Sequence, residues 1–335
     1  MKKNILVTGG AGYIGSHACK RLFEEGYQPV IYDNLSTGHD WAVRWGPMIL
    51  GDLLERDVLA SAFDDYKPEA VMHFAACGLV EESVRDPQKY IRNNEEGSQV
   101  LIDVMKQKSC PVLVFSSSCT LYGNTDKAVL DESLPVQPIN PYGETKLAVE
   151  KLLETERQSG DLKSVALRYF NAAGADPEGE IGEDHYPETH LIPRVISTAL
   201  GHSPTVQIFG DDYPTPDGSC QRDYIHVSDL ATAHILAMQK LMNGNISPAI
   251  NLGAGIGSSV KDVIACVKKA SGQDFPVVTV ERRAGDPASL IANTARAQKE
   301  LSWQPRYSDL ETIVETAWQW HTKHQGEENS QETAC

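Results

Sequence analysis

The chain of 335 residues has no apolar run approaching the roughly 20 residues that a bilayer span requires, so no membrane partner is expected. It has no cluster of Lys and Arg, and its formal net charge is −16, which excludes the basic stripe of a nucleic-acid binder. Its seven cysteines (Cys19, Cys77, Cys110, Cys119, Cys220, Cys266 and Cys335) are scattered, odd in number and without a CxxC pair. That pattern excludes a disulfide framework and a cysteine-rich zinc site, and it predicts a reducing, cytoplasmic location. HExxH and EF-hand runs are absent as well, so no metal is expected. Met1-Lys2-Lys3-Asn4-Ile5 leads straight into a short apolar strand, without a secretory h-region. No internal repeat is evident.

What is present is an ordinary globular composition, 41% hydrophobic and 23% charged, at a length that holds one large or two medium domains. The first half alternates short β-branched runs with longer helical stretches. Strands are predicted at Asn4–Thr8, Pro29–Asp33, Met48–Gly51, Ala70–Ala75, Val112–Ser116 and Val165–Phe170, with helices such as Ser16–Glu25 and Gly97–Gln107 between them. Strands alternating with helices imply βαβ units, and unalternating apolar runs imply strands buried on both faces. After Asn171 the pattern loosens into Gly, Pro, Asp and Glu, with a helix at His190–Leu200 and short strands at Tyr224–Val227, Ile250–Leu252 and Val277–Val280. Helix Val260–Ala270 lies between the last two strands.

Between the first strand and the first helix lies Gly9-Gly10-Ala11-Gly12-Tyr13-Ile14-Gly15. Glycines at this G-x-x-G-x-x-G spacing permit a tight turn and let backbone amides approach a pyrophosphate at the helix N-terminus. The second strand ends in Asp33, the position expected to bind adenosine ribose hydroxyls. A carboxylate there repels a 2′-phosphate, so NAD is favoured over NADP. Asp52, after the third strand, is either an adenine partner or a turn residue. The fold class expected is therefore α/β, a Rossmann-type doubly wound parallel sheet with a smaller mixed α/β lobe. Residues 1–171 are assigned to nucleotide binding, with a segment near 218–240 crossing back. Residues 172–324 mainly form the second lobe, and 325–335 form a frayed tail.

Tyr142 and Lys146 are four residues apart, so on a helix they share one face. The strand upstream ends Val114-Phe115-Ser116-Ser117-Ser118 at the side of an open parallel sheet where ligands bind. A tyrosine acts as a base only if its pKa of about 10 falls toward ~7, which needs roughly 4 kcal/mol of phenolate stabilisation. A nearby ammonium and a positive nicotinamide ring supply a field of the right sign.

TGGAGYIG, YGETK and the serine-rich strand end together resemble the extended short-chain dehydrogenase/reductase family, and more closely its UDP-glucose 4-epimerase branch. The segments that carry the closer match are Asp33–Gly38, Leu167–Asn171, Gly182–Asp184, Ile208–Thr215 and Arg222–Val227, and the likeness extends to about Tyr307. The resemblance implies an NAD-dependent enzyme that inverts C4 of UDP-glucose and UDP-galactose through a transient 4-keto sugar, working as a homodimer. UDP-N-acetylhexosamines and UDP-pentoses stand as alternative substrates. By position it implies that Ser118, Tyr142 and Lys146 are catalytic. It places NAD against Gly9, Gly12, Tyr13, Ile14, Gly15, Asp33, Asn34, Leu35, Ser36, Thr37, Gly38, Asp52, Leu53, Phe74, Ala75, Ala76, Asn94, Lys146 and Phe170. It places the UDP-sugar against Ser118, Tyr142, Asn171, His190, Leu191, Gln207, Ile208, Phe209, Arg222, Tyr224, Arg283, Asp286 and Leu290.

The sequence departs from the family pattern at four places. Gly78 stands where a Lys that helps hold NAD is usual, Glu81 replaces a small residue, His190 replaces an Asn, and Leu290 occupies the position of a Tyr or a smaller residue. A dehydratase or decarboxylase on this fold carries acidic residues before the Tyr-Gly that follows the serine strand. Here Cys119-Thr120-Leu121 precede Tyr122-Gly123, with no carboxylate. A non-catalytic NAD-binding protein has no need of Ser118, Tyr142 and Lys146 together.

Overall fold

The computed structural model describes residues 2–283 and 285–332, with side chains described through residue 324. Its larger sheet has seven strands: β1 (Asn4–Thr8), β2 (Gln28–Asp33), β3 (Met48–Leu50), β4 (Ala70–His73), β5 (Val112–Ser118), β6 (Lys163–Tyr169) and β7 (Ala249–Leu252). All pair in parallel, in the spatial order 3-2-1-4-5-6-7. Strand side chains alternate between faces. Ile5 and Val7 enter one core with Ala18 and Leu22 of helix Tyr13–Glu24 and with Leu230 and Met238 of helix Val227–Asn243. Leu6 enters the opposite core, with Leu59 and Phe63, Leu101 and Met105, and Val149 and Leu153 from three other helices. Both faces of the strand are covered, which is why its sequence is continuously apolar.

Residues from 171 onward, with Val129–Leu130, build most of the rest. Strand Gln221–His226 pairs with Asn171–Ala173, Gly257–Ser259 and Ser289–Ala292, and the last of these pairs with Val129–Leu130. Strands Val206–Phe209 and Val277–Val280 form a separate parallel pair. A third core gathers Ile192, Val195 and Ile196 with Val263, Val267, Ile313 and Val314. β7, Ala297, Leu301 and Trp303 return to the core of the larger sheet.

Two polar contacts tie the first helix to the segment 174–180. The Tyr13 hydroxyl donates to the Gly174 carbonyl at 2.6 Å. Lys20, only 7% exposed, sends its ammonium to Asp176, Glu178 and Glu180 at 2.7–2.9 Å.

Most differences from the sequence reading lie at element ends. β5 runs to Ser118, where it pairs with Tyr169, two residues past the predicted Ser116. No sequence pattern marks the wide helical turn Ile91–Glu96 that precedes helix Gly97–Gln107. The last helix, Leu310–Glu332, extends into the segment expected to be a frayed tail, and residues 333–335 lie outside the described residues.

Candidate active site

The sheet order reverses between β1 and β4, and there the register aligns Thr8 with both Tyr32 and His73. The chain therefore leaves three neighbouring strands at one level, through Gly9, Asp33 and Phe74, and a cleft of about 980 Å³ opens above them. Such a switch point is where open parallel sheets bind ligands. Gly9 has φ +72°, and a Cβ on it would lie 2.6 Å from the Ala75 nitrogen. A Cβ on Gly15 would lie 2.0 Å from the Gly9 carbonyl oxygen. Only glycine allows the loop and the first helix to come this close.

Helix Tyr13–Glu24 starts at Gly12 with no side-chain cap and no acid in its first turn, so its first amides meet no protein anion. Tyr13 and Ile14 line the cleft at that point. Unsatisfied N–H groups at a helix N-terminus fit a pyrophosphate. The Asp33 carboxylate accepts from the Ala11 and Leu35 amides, both at 2.9 Å, which fixes it at the cleft wall. Asp52 closes a turn and stands at the cleft wall. It accepts from the Leu54 amide at 2.9 Å and the Asn34 side chain at 2.8 Å, and it also lines the cleft.

The three serines of β5 separate by strand alternation. Ser116 and Ser118 line the cleft, whereas Ser117 faces the other way and donates to Glu150 at 2.6 Å. Helix Pro141–Ser159 begins with Pro141 behind an Asn140 cap, whose side chain accepts from the Gly143 amide at 2.8 Å, and stops at Gly160 in the left-handed region. It brings Tyr142 and Lys146 to the cleft. Lys146, 3% exposed, donates to the Ser116 carbonyl at 2.8 Å, and its ammonium lies 5.8 Å from the Tyr142 ring centroid. Burial lowers the Lys146 pKa to about 8. Burial also raises the Tyr142 phenol well above its ordinary value, and a hydrogen bond with Ser118 opposes this.

Across the cleft, Arg222 and Tyr224 alternate with the fully buried Asp223 on strand Gln221–His226. Arg222 pairs with Asp286 and donates to the Pro287 carbonyl at 2.9 Å, while the Arg283 guanidinium lies 3.9 Å over the Phe209 ring. Arg222, Arg283, Asp286 and Phe209 all line the cleft, with Asn171, His190, Leu191 and Gln207.

Three expected site residues are not among the lining. Asn94 is 2% exposed and clamps the backbone of Cys77, accepting from its N–H at 2.8 Å and donating to its C=O at 3.0 Å. Its amide also donates to Thr145, next to Lys146, so it holds the wall in place from behind. Ile208 points into the third core, because Gln207 and Phe209 on either side of it take the cleft face. Leu290 is half-buried and packs against the small core of Tyr122, Leu130 and Phe170.

Several lining residues were not anticipated as site residues. Tyr169 shares a hydrogen bond with Ser116 at 2.7 Å, and its place directly after Arg168 at the end of a predicted strand was the available signal. Cys77 and His185 carried no signal of their own, since loop residues follow no period, whereas Glu183 lies in the Gly182–Asp184 segment that carries the resemblance. Gly78 lines the cleft with nothing within 4 Å of an added Cβ. Cys119 is held as a neutral thiol, with its pKa pushed up to about 12 by burial.

The chain matches the NAD dependent epimerase/dehydratase family over residues 5–253. It is 50% identical over 320 residues to a UDP-glucose 4-epimerase of Halalkalibacterium halodurans, covering 96% of each chain. The crystal structure of UDP-glucose 4-epimerase from Brucella ovis in complex with NAD superposes with a TM-score of 0.92 at 49% identity, covering 94% of this chain and 97% of that one. The Stenotrophomonas maltophila UDP-glucose-4-epimerase with bound NAD and formylated UDP-arabinopyranose gives 0.93 at 40% identity, covering 97% and 99%.

Proposed function

Because the chain belongs to the NAD dependent epimerase/dehydratase family, we propose that it interconverts UDP-glucose and UDP-galactose by inverting C4 through a transient 4-keto sugar. The observation that carries this reading is the convergence of Ser118, Tyr142 and Lys146 on a cleft whose floor is the uncapped helix N-terminus and Asp33.

NAD, held by the Gly9–Gly15 loop, Asp33 and Lys146, supplies a hydride acceptor that is restored within each cycle. Tyr142 takes the proton of the sugar 4-hydroxyl and later returns it, and Ser118 shares that hydrogen bond. Lys146, charged through neutral pH, stabilises the phenolate. Arg222 and Arg283 grip the diphosphate as forked donors, with Asp286 orienting Arg222. We read residues 1–171, with the returning segments, as the NAD-holding part and residues 172–324 as mainly UDP-sugar binding. The same reading extends to a cytoplasmic homodimer joined through helices of the first part, where Val84 is 63% exposed on helix Val80–Arg85.

The test is turnover of UDP-glucose to UDP-galactose by protein as purified, with no cofactor added, alongside acid release of bound nucleotide. One NAD per chain and activity that falls about 10²–10⁴-fold in Tyr142→Phe are expected. Release of NADP, or full activity in that variant, overturns the reading.

A further inference from the structure

The run Glu183-Asp184-His185-Tyr186-Pro187-Glu188-Thr189-His190 carries two imidazoles and three carboxylates in eight residues, of which Asp184 turns away to His39 and His324. It folds back on itself, so that one donor atom from each of Glu183, His185, Glu188 and His190 lies within 4.8 Å of all the others. His185 Nδ1 is 3.3 Å from Glu183 Oε1 and 3.7 Å from Glu188 Oε2. His190 Nδ1 touches the same Glu183 oxygen and lies 3.8 Å from Glu188 Oε1. Zinc bonds of 2.0–2.1 Å in a tetrahedron place neighbouring donors about 3.3 Å apart. Of these four pairs, one already has that spacing, two are within about half an ångström of it, and the Glu183–His190 contact must open.

The surroundings suit an ion. Glu183 is 3% exposed, and the Tyr13 ring stands edge-on to His185 at 6.1 Å. The other dense acidic group, Asp176 with Glu178 and Glu180, already holds the Lys20 ammonium, whereas no lysine or arginine is paired with Glu183 or Glu188 among the described ion pairs. Two carboxylates balance a divalent charge. Two imidazole nitrogens select a borderline transition metal over calcium or magnesium, which take oxygen ligands.

We propose that Glu183, His185, Glu188 and His190 form a binding site for one zinc-class divalent ion in the wall of the cleft. The spacing E-x-H-x-x-E-x-H matches neither HExxH nor a cysteine motif, which is why the sequence predicted no metal.

Tag-free holoprotein, stripped with a chelator, is titrated with Zn²⁺ against a chromogenic chelator and separately with Co²⁺ while visible absorption is followed. One equivalent per chain and a tetrahedral cobalt spectrum without a thiolate charge-transfer band are expected. His185→Gln and Glu188→Gln should each weaken Zn²⁺ binding at least about tenfold, with thermal unfolding showing that each variant is folded. If the His185 change unfolds the protein, the partly exposed Glu188 decides. Absence of stoichiometric binding, a thiolate band, or undiminished binding in the folded variants overturns the proposal.

Discussion

Burial pushes the Tyr142 phenol above its ordinary pKa of about 10, so the side chain cannot serve as a base near neutrality without help from fixed positive charge. The protein's own contribution is Lys146, held by the Ser116 carbonyl on the same helical face. Removing its charge while keeping its bulk isolates that contribution. In Lys146→Met the acidic limb of the kcat–pH profile, which reports the phenol, should move up by about 1–2 pH units, and the rate at pH 7 should fall about 10- to 100-fold. A variant with the wild-type limb would show that Lys146 only positions ligand. On the basic side, Lys146 loses its charge near pH 8 in the protein alone, so wild-type activity should also decline above that pH.

At the scale of strands and loops, position in the pleat decides which side chains meet the ligand. Leu290 lies on strand Ser289–Ala292 and packs into a small core with Tyr122, Leu130 and Phe170. Leu290→Tyr therefore overpacks that core, costing about 1–3 kcal/mol, seen as a lower Tm. It should not discriminate between acetylated and plain UDP-sugars, and a selective loss of one substrate in kcat/KM would return Leu290 to the pocket wall. Gly78 presents the opposite case, a lining position with room for a side chain. Gly78→Lys should slow NAD release tenfold or more, measured by dialysis against NAD-free buffer, since a charge-assisted contact contributes about 1.5–3 kcal/mol. The glycine loop, the Asp33 strand end and the Tyr142/Lys146 helix were legible because each has a local rule: turn geometry, strand termination, helical period. Ile208 was not, because a resemblance marks a neighbourhood while alternation selects every second residue within it, and Leu290 was not, because its side chain packs against the core of Tyr122, Leu130 and Phe170. Asn94 was not, because its partner Cys77 is fixed by a loop that no periodicity describes.

Taken whole, the molecule buries several imidazoles in its cores. Burial lowers His73 and His226 to about 3 and His234 to about 4. Unfolded, each binds its proton near pH 6.5, so the unfolded chain is favoured as pH falls from about 6.5 toward 4. Each such group adds up to about 1.4 kcal/mol of lost stability per pH unit across that window. The urea midpoint should therefore drop steadily below pH 6.5, and a midpoint that stays flat to pH 5 would mean that these rings are hydrated in the native state. Lys20 sets another property of the whole. It rises from the helix that starts at the nucleotide loop, and its three carboxylates belong to the segment just before the far wall of the cleft. Any hinge that swung the two halves apart as rigid bodies would have to pull a buried ammonium out of that cage, along with the Tyr13–Gly174 bond. The molecule is in this respect a clamp riveted on one side of its cleft, so that a ligand passes over the rim rather than through a parting of the two halves.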